Sequence, residues 1–180
     1  MGSVNLILVG YRGSGKTTVG ELLAKRLGWH FVDTDALISR KAGKSIPEIF
    51  ATEGEDGFRK REREACDQLR KSKNQVIAFG GGTIVDPESR AIVKRVGKVV
   101  WLRAPAAVLW RRIQADAARG VKRPNLTPVG GLDEVEAVLR QREPIYETAA
   151  AHIVDTTTDS PEQIAEALEM WYRANDSEAG

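Results

Sequence analysis

The chain alternates short apolar runs with longer stretches in which apolar residues recur every three or four positions. The short runs have the length and apolar content of buried strands, and we place strands at 4–9, 30–32, 75–79, 98–102 and 152–154. The longer stretches predict helices at 16–28, 36–42, 55–71, 87–95, 105–114, 132–148 and 161–173, and a further helix start at Ser45. This alternation predicts one α/β domain, with a five-stranded parallel sheet between two layers of helices.

One stretch departs from this alternation. Residues 115–130 contain glycines and prolines but no regular apolar spacing, so they predict a long loop. Loops of that length inside compact domains are usually functional or disordered. The adjoining segment 111–123 has a formal charge of +4, since it holds five basic residues and one acidic residue. Such a segment suits a lid that meets polyphosphate, and the alternative is a solvated basic surface loop.

Composition narrows the class of protein. The 180 residues suit a single domain, and a hydrophobic content of 42% argues against disorder. The net charge is only +2, so we expect no nucleic-acid partner. Cys66 is the one cysteine, which excludes an intramolecular disulfide and favours a reducing compartment. Because no apolar run is long enough for a signal peptide or a membrane span, we expect a cytoplasmic protein with no membrane partner. We also expect the protein to be a monomer.

The strongest chemical signal follows the first predicted strand. Residues 10–17, GYRGSGKT, match the phosphate-binding pattern G-x-x-x-x-G-K-[ST] and open a predicted helix. Glycines let backbone N–H groups surround phosphates, and the helix start adds partial positive charge. In this pattern Lys16 supplies a full charge to the β- and γ-phosphates, and the Thr17 hydroxyl is placed for Mg²⁺. We therefore predict ATP contacts from Gly13, Ser14, Gly15, Lys16, Thr17 and Thr18.

A second signal is the acidic pair after the second predicted strand. Asp33 and Asp35 stand two apart, and in an extended segment both side chains would point the same way. The third strand ends without a carboxylate, so this pair is the candidate replacement, with a magnesium ion near one carboxylate and a substrate hydroxyl on the other. The alternative is that Asp33 or Thr34 caps the next helix.

The third signal is a run of three glycines, Gly80, Gly81 and Gly82, after the third predicted strand. Ligands of open α/β sheets bind at the carboxyl ends of the strands, and glycines allow a backbone to approach a ligand closely. The alternative interpretation of an isolated triplet is a flexible turn. Beside the acidic pair, we interpret it as part of a binding site.

Taken together, these motifs resemble the shikimate kinase family, which belongs to the nucleoside-monophosphate-kinase group of P-loop folds. The resemblance runs from about Leu6 to Pro161. It is carried, in chain order, by GYRGSGKT at 10–17, DTD at 33–35, the segment 44–50, Phe58-Arg59 with Glu62, GGG at 80–82, Arg123-Pro124 and REPIY at 142–146. The motifs are short, but their order and spacing together are specific.

The resemblance implies a fold and a reaction. It implies a three-layer P-loop kinase fold in a single domain over 1–180, with a small substrate-binding subdomain at about 34–64 and a lid at about 113–130. It implies ATP-dependent phosphorylation of the 3-hydroxyl of shikimate, a step of aromatic amino-acid biosynthesis. Mg²⁺ would be the cofactor, and ATP and shikimate would be the small-molecule partners.

The resemblance also implies roles for individual acceptor-side residues. Asp35 would bind the shikimate hydroxyls and orient, or accept a proton from, the attacking 3-hydroxyl. Arg59 and Arg142 would hold the substrate carboxylate, since arginine presents a planar fork that matches it. The backbone of Gly80–Gly82 would face the substrate.

On the nucleotide side, the resemblance makes Lys16 and Arg123 the groups that stabilise the transferred phosphoryl group. Arg123 would do so from the lid, whereas Arg112 would border the adenine. Asp33 would reach Mg²⁺ through water, beside Thr17.

Two other functions stay open at the level of the sequence. One is a different small-molecule kinase of the same fold, acting on gluconate or a nucleoside monophosphate. The other is a binding module whose P-loop switches affinity for a partner, without a small acceptor.

Overall fold

The computed structural model describes residues 5–120 and 125–176. Its five strands form one parallel sheet in the order β2-β3-β1-β4-β5. The strands are β1 (Asn5–Val9), β2 (His30–Asp33), β3 (Gln75–Ala78), β4 (Gly97–Arg103) and β5 (His152–Asp155). The sequence prediction of a five-stranded parallel α/β fold is therefore confirmed.

Helices connect these strands and cover both faces of the sheet. In chain order they are α1 (Lys16–Leu27), α2 (Thr34–Ala42), α3 (Ile46–Leu69), α4 (Pro87–Val96), α5 (Ala106–Ala118), α6 (Gly131–Ala149) and α7 (Pro161–Asp176). Each lies within a few residues of a predicted helix. Among the described residues, no helix combines the length and apolar character that a membrane crossing needs.

The two faces of the sheet bury alternate residues of the strands, as the period of a strand requires. On one face, Leu6 and Leu8 of β1 pack with α1 and α7. On the other face, Ile7 and Val9 pack with α3, α4 and Tyr146 of α6. The side chains of β1 are thus buried on both sides, and the sheet forms the middle of three layers.

Local sequence signals set several helix ends. Ser45 and Glu48 form a reciprocal capping box at the start of α3. Gly28 ends α1 in the left-handed conformation, with φ of 70°. Gly54 interrupts α3 with φ of 71° and ψ of −173°. The interruption divides α3 into the two helical stretches that the sequence predicted separately.

The predicted loop at 115–130 is wrong at its first residues. Helix α5 continues past the predicted end at Gln114 and ends at Ala118. Ala115, Ala117 and Ala118 are strong helix formers, and they outweigh the breaker signals that begin only at Gly120. The part of the predicted lid that contains Arg123 lies outside the described residues.

Candidate active site

The loop at Gly10–Thr17, called the nucleotide loop below, follows β1 and leads into α1. Gly10, Gly13 and Gly15 all have positive φ, at 147°, 82° and 93°. A Cβ atom at Gly10 would lie 2.5 Å from the carbonyl oxygen of Leu102, so only glycine fits there. The loop therefore owes its tight path to its own glycines.

Lys16 turns back over the nucleotide loop. Its ammonium group donates hydrogen bonds to the carbonyl oxygens of Gly10, at 2.8 Å, and Tyr11, at 3.0 Å. These bonds hold the amine at the concave side of the loop, where phosphate would lie. The contact of Lys16 with phosphate stays a prediction.

Asp33 has two roles in the fold and the site. Its Oδ1 accepts from the backbone N–H of Ala36 at 3.0 Å, which caps α2. Its Oδ2 accepts from the Thr17 hydroxyl at 3.4 Å. The capping interpretation and the metal-side interpretation are therefore compatible, because the carboxylate uses one oxygen for each.

Asp35 reaches the site by a route that differs from the prediction. The extended segment assumed for 33–35 is wrong, because α2 begins at Thr34 and Asp35 belongs to its first turn. Asp35 nevertheless faces the glycine triplet, since a Cβ atom at Gly80 would lie 2.8 Å from its Oδ1. Thr34 joins the two segments, because its hydroxyl donates to Ala78 O at 3.2 Å and accepts from Gly80 N at 3.3 Å.

Arg59 lies on the second half of α3 and is held by a buried carboxylate. Its Nη1 donates to Glu62 at 2.6 Å, and the Glu62 side chain is only 2% exposed. Burial alone would lower the pKa of Arg59, but the hydrogen bonds and charges of Glu62 and then Glu55 together outweigh burial and raise it. Glu62 also accepts a short hydrogen bond from Thr83, which follows the glycine triplet. Arg59 is thereby fixed beside Gly82, where a Cβ atom would lie 3.4 Å from its Nη2.

Arg142 approaches the same glycines from α6. A Cβ atom at Gly81 would lie 3.2 Å from Arg142 Nη1 and 3.2 Å from Gly10 O. One turn later on α6, the hydroxyl of Tyr146 donates to Gly81 O at 2.6 Å. Burial raises the pKa of Tyr146, although Arg142 acts in the opposite direction. The phenol therefore stays a neutral donor that ties α6 to the glycine triplet.

Four separate segments thus meet at one place. Asp35, Arg59, Gly80–Gly82 and Arg142, called the acceptor cluster below, come together at the carboxyl end of β3 and next to the nucleotide loop. The sequence predicted every member of this cluster. Their individual roles stay predictions.

Arg112 closes the other side of the nucleotide loop. Its Nη1 donates to Gly13 O at 3.4 Å and to Thr156 Oγ1 at 3.0 Å, and its Nη2 bonds the carbonyl oxygen of Thr156. Burial, and then the neighbouring charge of Arg111, lower the pKa of Arg112. The guanidinium links the loop to the segment after β5, on the side that the resemblance assigns to adenine.

Sequence reasoning gave no role to three residues that hold this site. Thr83 and Tyr146 anchor the glycine triplet, and Glu134 of α6 pairs with Arg12 of the nucleotide loop. One signal could have found two of them. Glu134, Val138, Arg142 and Tyr146 are spaced four apart, so α6 places them on one face, and a glutamate on a largely buried face requires a partner.

The described residues contain no group of three or more histidine, cysteine or acidic side chains that could hold a metal. The oxygens of Thr17 and Asp33 stand together at the start of α1. Mg²⁺ in nucleotide sites takes one or two protein oxygens and completes its shell with phosphate and water. This pair of oxygens fits such an ion.

Comparison with known proteins gives one consistent family. Residues 12–172 match the family model described as shikimate kinase. A shikimate kinase of Rhodopirellula baltica is 44% identical over 160 residues, which cover 89% of this chain and 86% of that protein. A shikimate kinase of Symbiobacterium thermophilum is 44% identical over 150 residues, which cover 83% of this chain and 84% of that protein.

A solved structure agrees with these relatives. The shikimate kinase from Acinetobacter baumannii in complex with shikimate aligns with a TM-score of 0.87 and 36% identity. The alignment covers 96% of this chain and 94% of that one. The resemblance predicted from the sequence motifs is confirmed.

Proposed function

The chain belongs to the shikimate kinase family, and we propose that it transfers the γ-phosphoryl group of ATP to the 3-hydroxyl of shikimate. The products are shikimate 3-phosphate and ADP. The enzyme is a phosphotransferase of aromatic amino-acid biosynthesis.

The convergence of Arg59 and Arg142 on Gly81 and Gly82 carries this proposal. Two guanidinium groups at one wall of a site suit a carboxylate better than a neutral sugar or a nucleobase, because each presents paired donors to its oxygens. A nearby Asp35 suits hydroxyl groups, which donate to a carboxylate. Shikimate and gluconate both have these features, and the family match favours shikimate, whereas a nucleoside monophosphate would need contacts to its base.

Catalysis by this site depends on position and charge. Asp35 orients the attacking hydroxyl toward the nucleotide loop, and Lys16 stabilises charge on the transferred phosphoryl oxygens. Arg59 and Arg142 hold the substrate carboxylate at the far wall. Because Glu62 and Tyr146 already fix this wall, little ordering remains to be done when the substrate binds.

Thr17 and Asp33 would hold the magnesium ion of the nucleotide, Asp33 through water. Bound there, the ion neutralises charge on the β- and γ-phosphates. The protein contributes only these two oxygens, since the described residues offer no larger acidic group.

Arg123 completes the proposal as the lid residue that contacts the transferred phosphoryl group. The segment 111–123 has a formal charge of +4, which suits contact with polyphosphate. Arg123→Ala should lower kcat with the fold intact, and a near-normal kcat would assign the role to Arg119 or Lys122. The monomeric state and the cytoplasmic location stay predictions.

One assay tests the proposed function. ADP release is followed with Mg·ATP and, in separate reactions, shikimate, gluconate, a nucleoside monophosphate or no acceptor, with Lys16→Met as the inactive control. We expect ADP release that depends on shikimate and a product with one phosphate ester at the 3-position. ADP release of equal rate without shikimate would overturn the proposal.

A further inference from the structure

Helix α6 presents a row of four side chains, three of them polar, to the nucleotide loop and the acceptor cluster, and the reaction described above uses only some of them. Glu134, Val138, Arg142 and Tyr146 lie four residues apart on one face, called the α6 row below. Arg142 and Tyr146 belong to the acceptor wall. Glu134, at the other end of the row, has no part in that wall.

Glu134 is buried and accepts several donors. Its side chain is fully shielded from solvent, with an exposed fraction of 0%. It pairs with Arg12 of the nucleotide loop, and it accepts from the backbone N–H of Thr127 at 2.5 Å and from the Thr127 hydroxyl at 3.0 Å. Burial would raise the pKa of Glu134, but hydrogen bonds from Leu126 and Thr127 and the charge of Arg12 together lower it. The carboxylate therefore stays charged at neutral pH.

Arg12 occupies one of the four variable positions of the phosphate-binding pattern, and the pattern itself does not explain an arginine there. Its guanidinium lies 5.7 Å from the centre of the Tyr11 ring and is mostly buried. Arg142 lies 6.0 Å from the centre of the same ring. Tyr11 is 1% exposed, so the side chains of the loop pack directly against α6.

We propose that Glu134 is a positioning residue of this kinase, which sets the nucleotide loop for Mg·ATP by holding Arg12 against Thr127. The inference rests on the proposed function and deepens it on the nucleotide side. Glu134 touches no reacting atom. The buried Glu134 carboxylate, itself held by fixed donors, restricts the Arg12 side chain to one position. Since Arg12 lies between Gly10 and Gly13, this restriction also positions the backbone of the loop there.

The proposal predicts an unequal effect on the two substrates. The acceptor cluster is held by Glu62, Thr83, Thr34 and Tyr146, none of which bonds Glu134 in the described part of the chain. Loss of the Glu134 charge should therefore weaken the nucleotide side and spare the acceptor side. A purely structural role would instead weaken both sides in proportion to the loss of stability.

The test uses four proteins: wild type, Glu134→Gln, Arg12→Met and the double variant. The amide keeps the shape of Glu134, whereas Arg12→Met removes the charged partner and leaves a buried carboxylate held by Thr127, so Tm is measured for every variant. The matched control is Glu136→Gln, an exposed position of the same helix. The Kd of a non-hydrolysable ATP analogue with Mg²⁺ and the Kd of shikimate are measured by titration, beside Tm.

For Glu134→Gln and for Arg12→Met we expect a five- to twenty-fold rise in the Kd of the ATP analogue and a change in the shikimate Kd of less than two-fold. The Kd of the double variant for the ATP analogue should be no higher than the Kd of whichever single variant binds the analogue less tightly. Glu136→Gln should match wild type. An unchanged analogue Kd in folded Glu134→Gln would overturn the proposal, as would equal losses for both substrates or fully additive losses in the double variant.

A second measurement covers a variant that folds poorly. Hydrogen exchange of the Thr127 amide should accelerate in Glu134→Gln but not in Arg12→Met, because the amide oxygen of glutamine is a weaker acceptor than the carboxylate that accepts that N–H among the described contacts. Equal exchange in all four proteins would contradict the proposal. Failure of the proposed function is distinct, because it would appear as wild-type ADP release that does not depend on shikimate.

Discussion

The nucleotide loop takes its backbone conformation from consecutive residues and is supported from outside by Glu134 and Arg112, whereas the acceptor cluster is itself assembled from four segments between residues 34 and 146. Positive φ angles at Gly10, Gly13 and Gly15 and the bonds of Lys16 are local to the loop. In contrast, Arg59 depends on Glu62 and Thr83, and Arg142 faces glycines far away in the sequence. Local construction makes a site recognisable from a motif, while distributed construction makes it sensitive to changes in supporting residues.

The largest expected effect tests this sensitivity at Arg59. Arg59→Ala should weaken shikimate binding by about 2–5 kcal/mol, roughly thirty-fold to several thousand-fold, because it removes a guanidinium from a desolvated carboxylate site. It should also destabilise the fold by about 3–5 kcal/mol, since Glu62 would stay buried without its cation. Titration with shikimate and thermal unfolding measure the two effects.

Two variants separate binding from folding at this position. Arg59→Lys keeps a cation beside Glu62, so it should preserve stability and still lose the forked contact to the substrate. Arg61→Ala on the same helix removes an arginine that pairs with Glu53 instead, and it should leave the shikimate Kd near the wild-type value. An unchanged shikimate Kd in Arg59→Ala would remove Arg59 from the site.

The second effect tests the nucleotide loop. Lys16→Met should lower kcat by about 10²–10³, the usual cost of losing one charge-stabilising donor. The shikimate Kd should change far less, because Lys16 bonds to carbonyl oxygens of its own loop. Single-turnover kinetics with saturating substrates measure the chemical step. A large loss of shikimate affinity would show that the two regions are less independent than their construction indicates.

The third effect tests how closely the glycine triplet is packed. Gly80→Ala places a Cβ atom 2.8 Å from Asp35 Oδ1, and the carboxylate must move aside. We expect a cost of about 1–3 kcal/mol, seen as a roughly five- to 150-fold fall in kcat/KM for shikimate. The Kd of an ATP analogue is the internal control and should stay constant. A normal kcat/KM would mean that the reaction does not depend on the present position of the Asp35 carboxylate.

The smallest effect concerns Arg112. Arg112→Met removes the hydrogen bonds that Arg112 donates to two neutral acceptors, Gly13 O and Thr156 Oγ1. This loss should cost about 0.5–1.5 kcal/mol in ATP affinity. Shikimate affinity should not change. The exposed neighbour Arg111 supplies the control variant Arg111→Met. Equal ATP affinity in both variants would place Arg112 outside the nucleotide site.

The contrast between the regions also explains what the sequence could predict. The positions of the strands and the nucleotide loop follow from local patterns, since apolar runs and glycines determine local conformation directly, whereas the strand order was not predicted. The sequence prediction ends α5 too early, at Gln114, because it follows the breaker residues at Gly120 and beyond. The helix propensity of the alanines before them extends α5 to Ala118. The acceptor arginines could be chosen only through family resemblance, because Arg59, Arg61 and Arg63 look alike in a charged helix.

The residues that hold the site were harder to predict than the residues that form it. The spacing along α6 points to Glu134, but its partners Arg12 and Thr127 are brought to it only by the packing of that helix. The orientation of Asp35 was derived from the wrong local geometry, although its place beside Gly80 agrees with the prediction. Contacts between distant segments depend on tertiary packing, which a single sequence does not contain.

The double use of Asp33 has a consequence for mutational scanning. One of its oxygens caps α2 and the other faces Thr17, so most substitutions there remove a folding contact and a metal-side contact together. A scan that scores only cellular abundance would therefore mark Asp33 as intolerant and give no hint of chemistry. Asn, which can still cap a helix, is the informative allele: abundance should be largely retained while growth that depends on the enzyme falls.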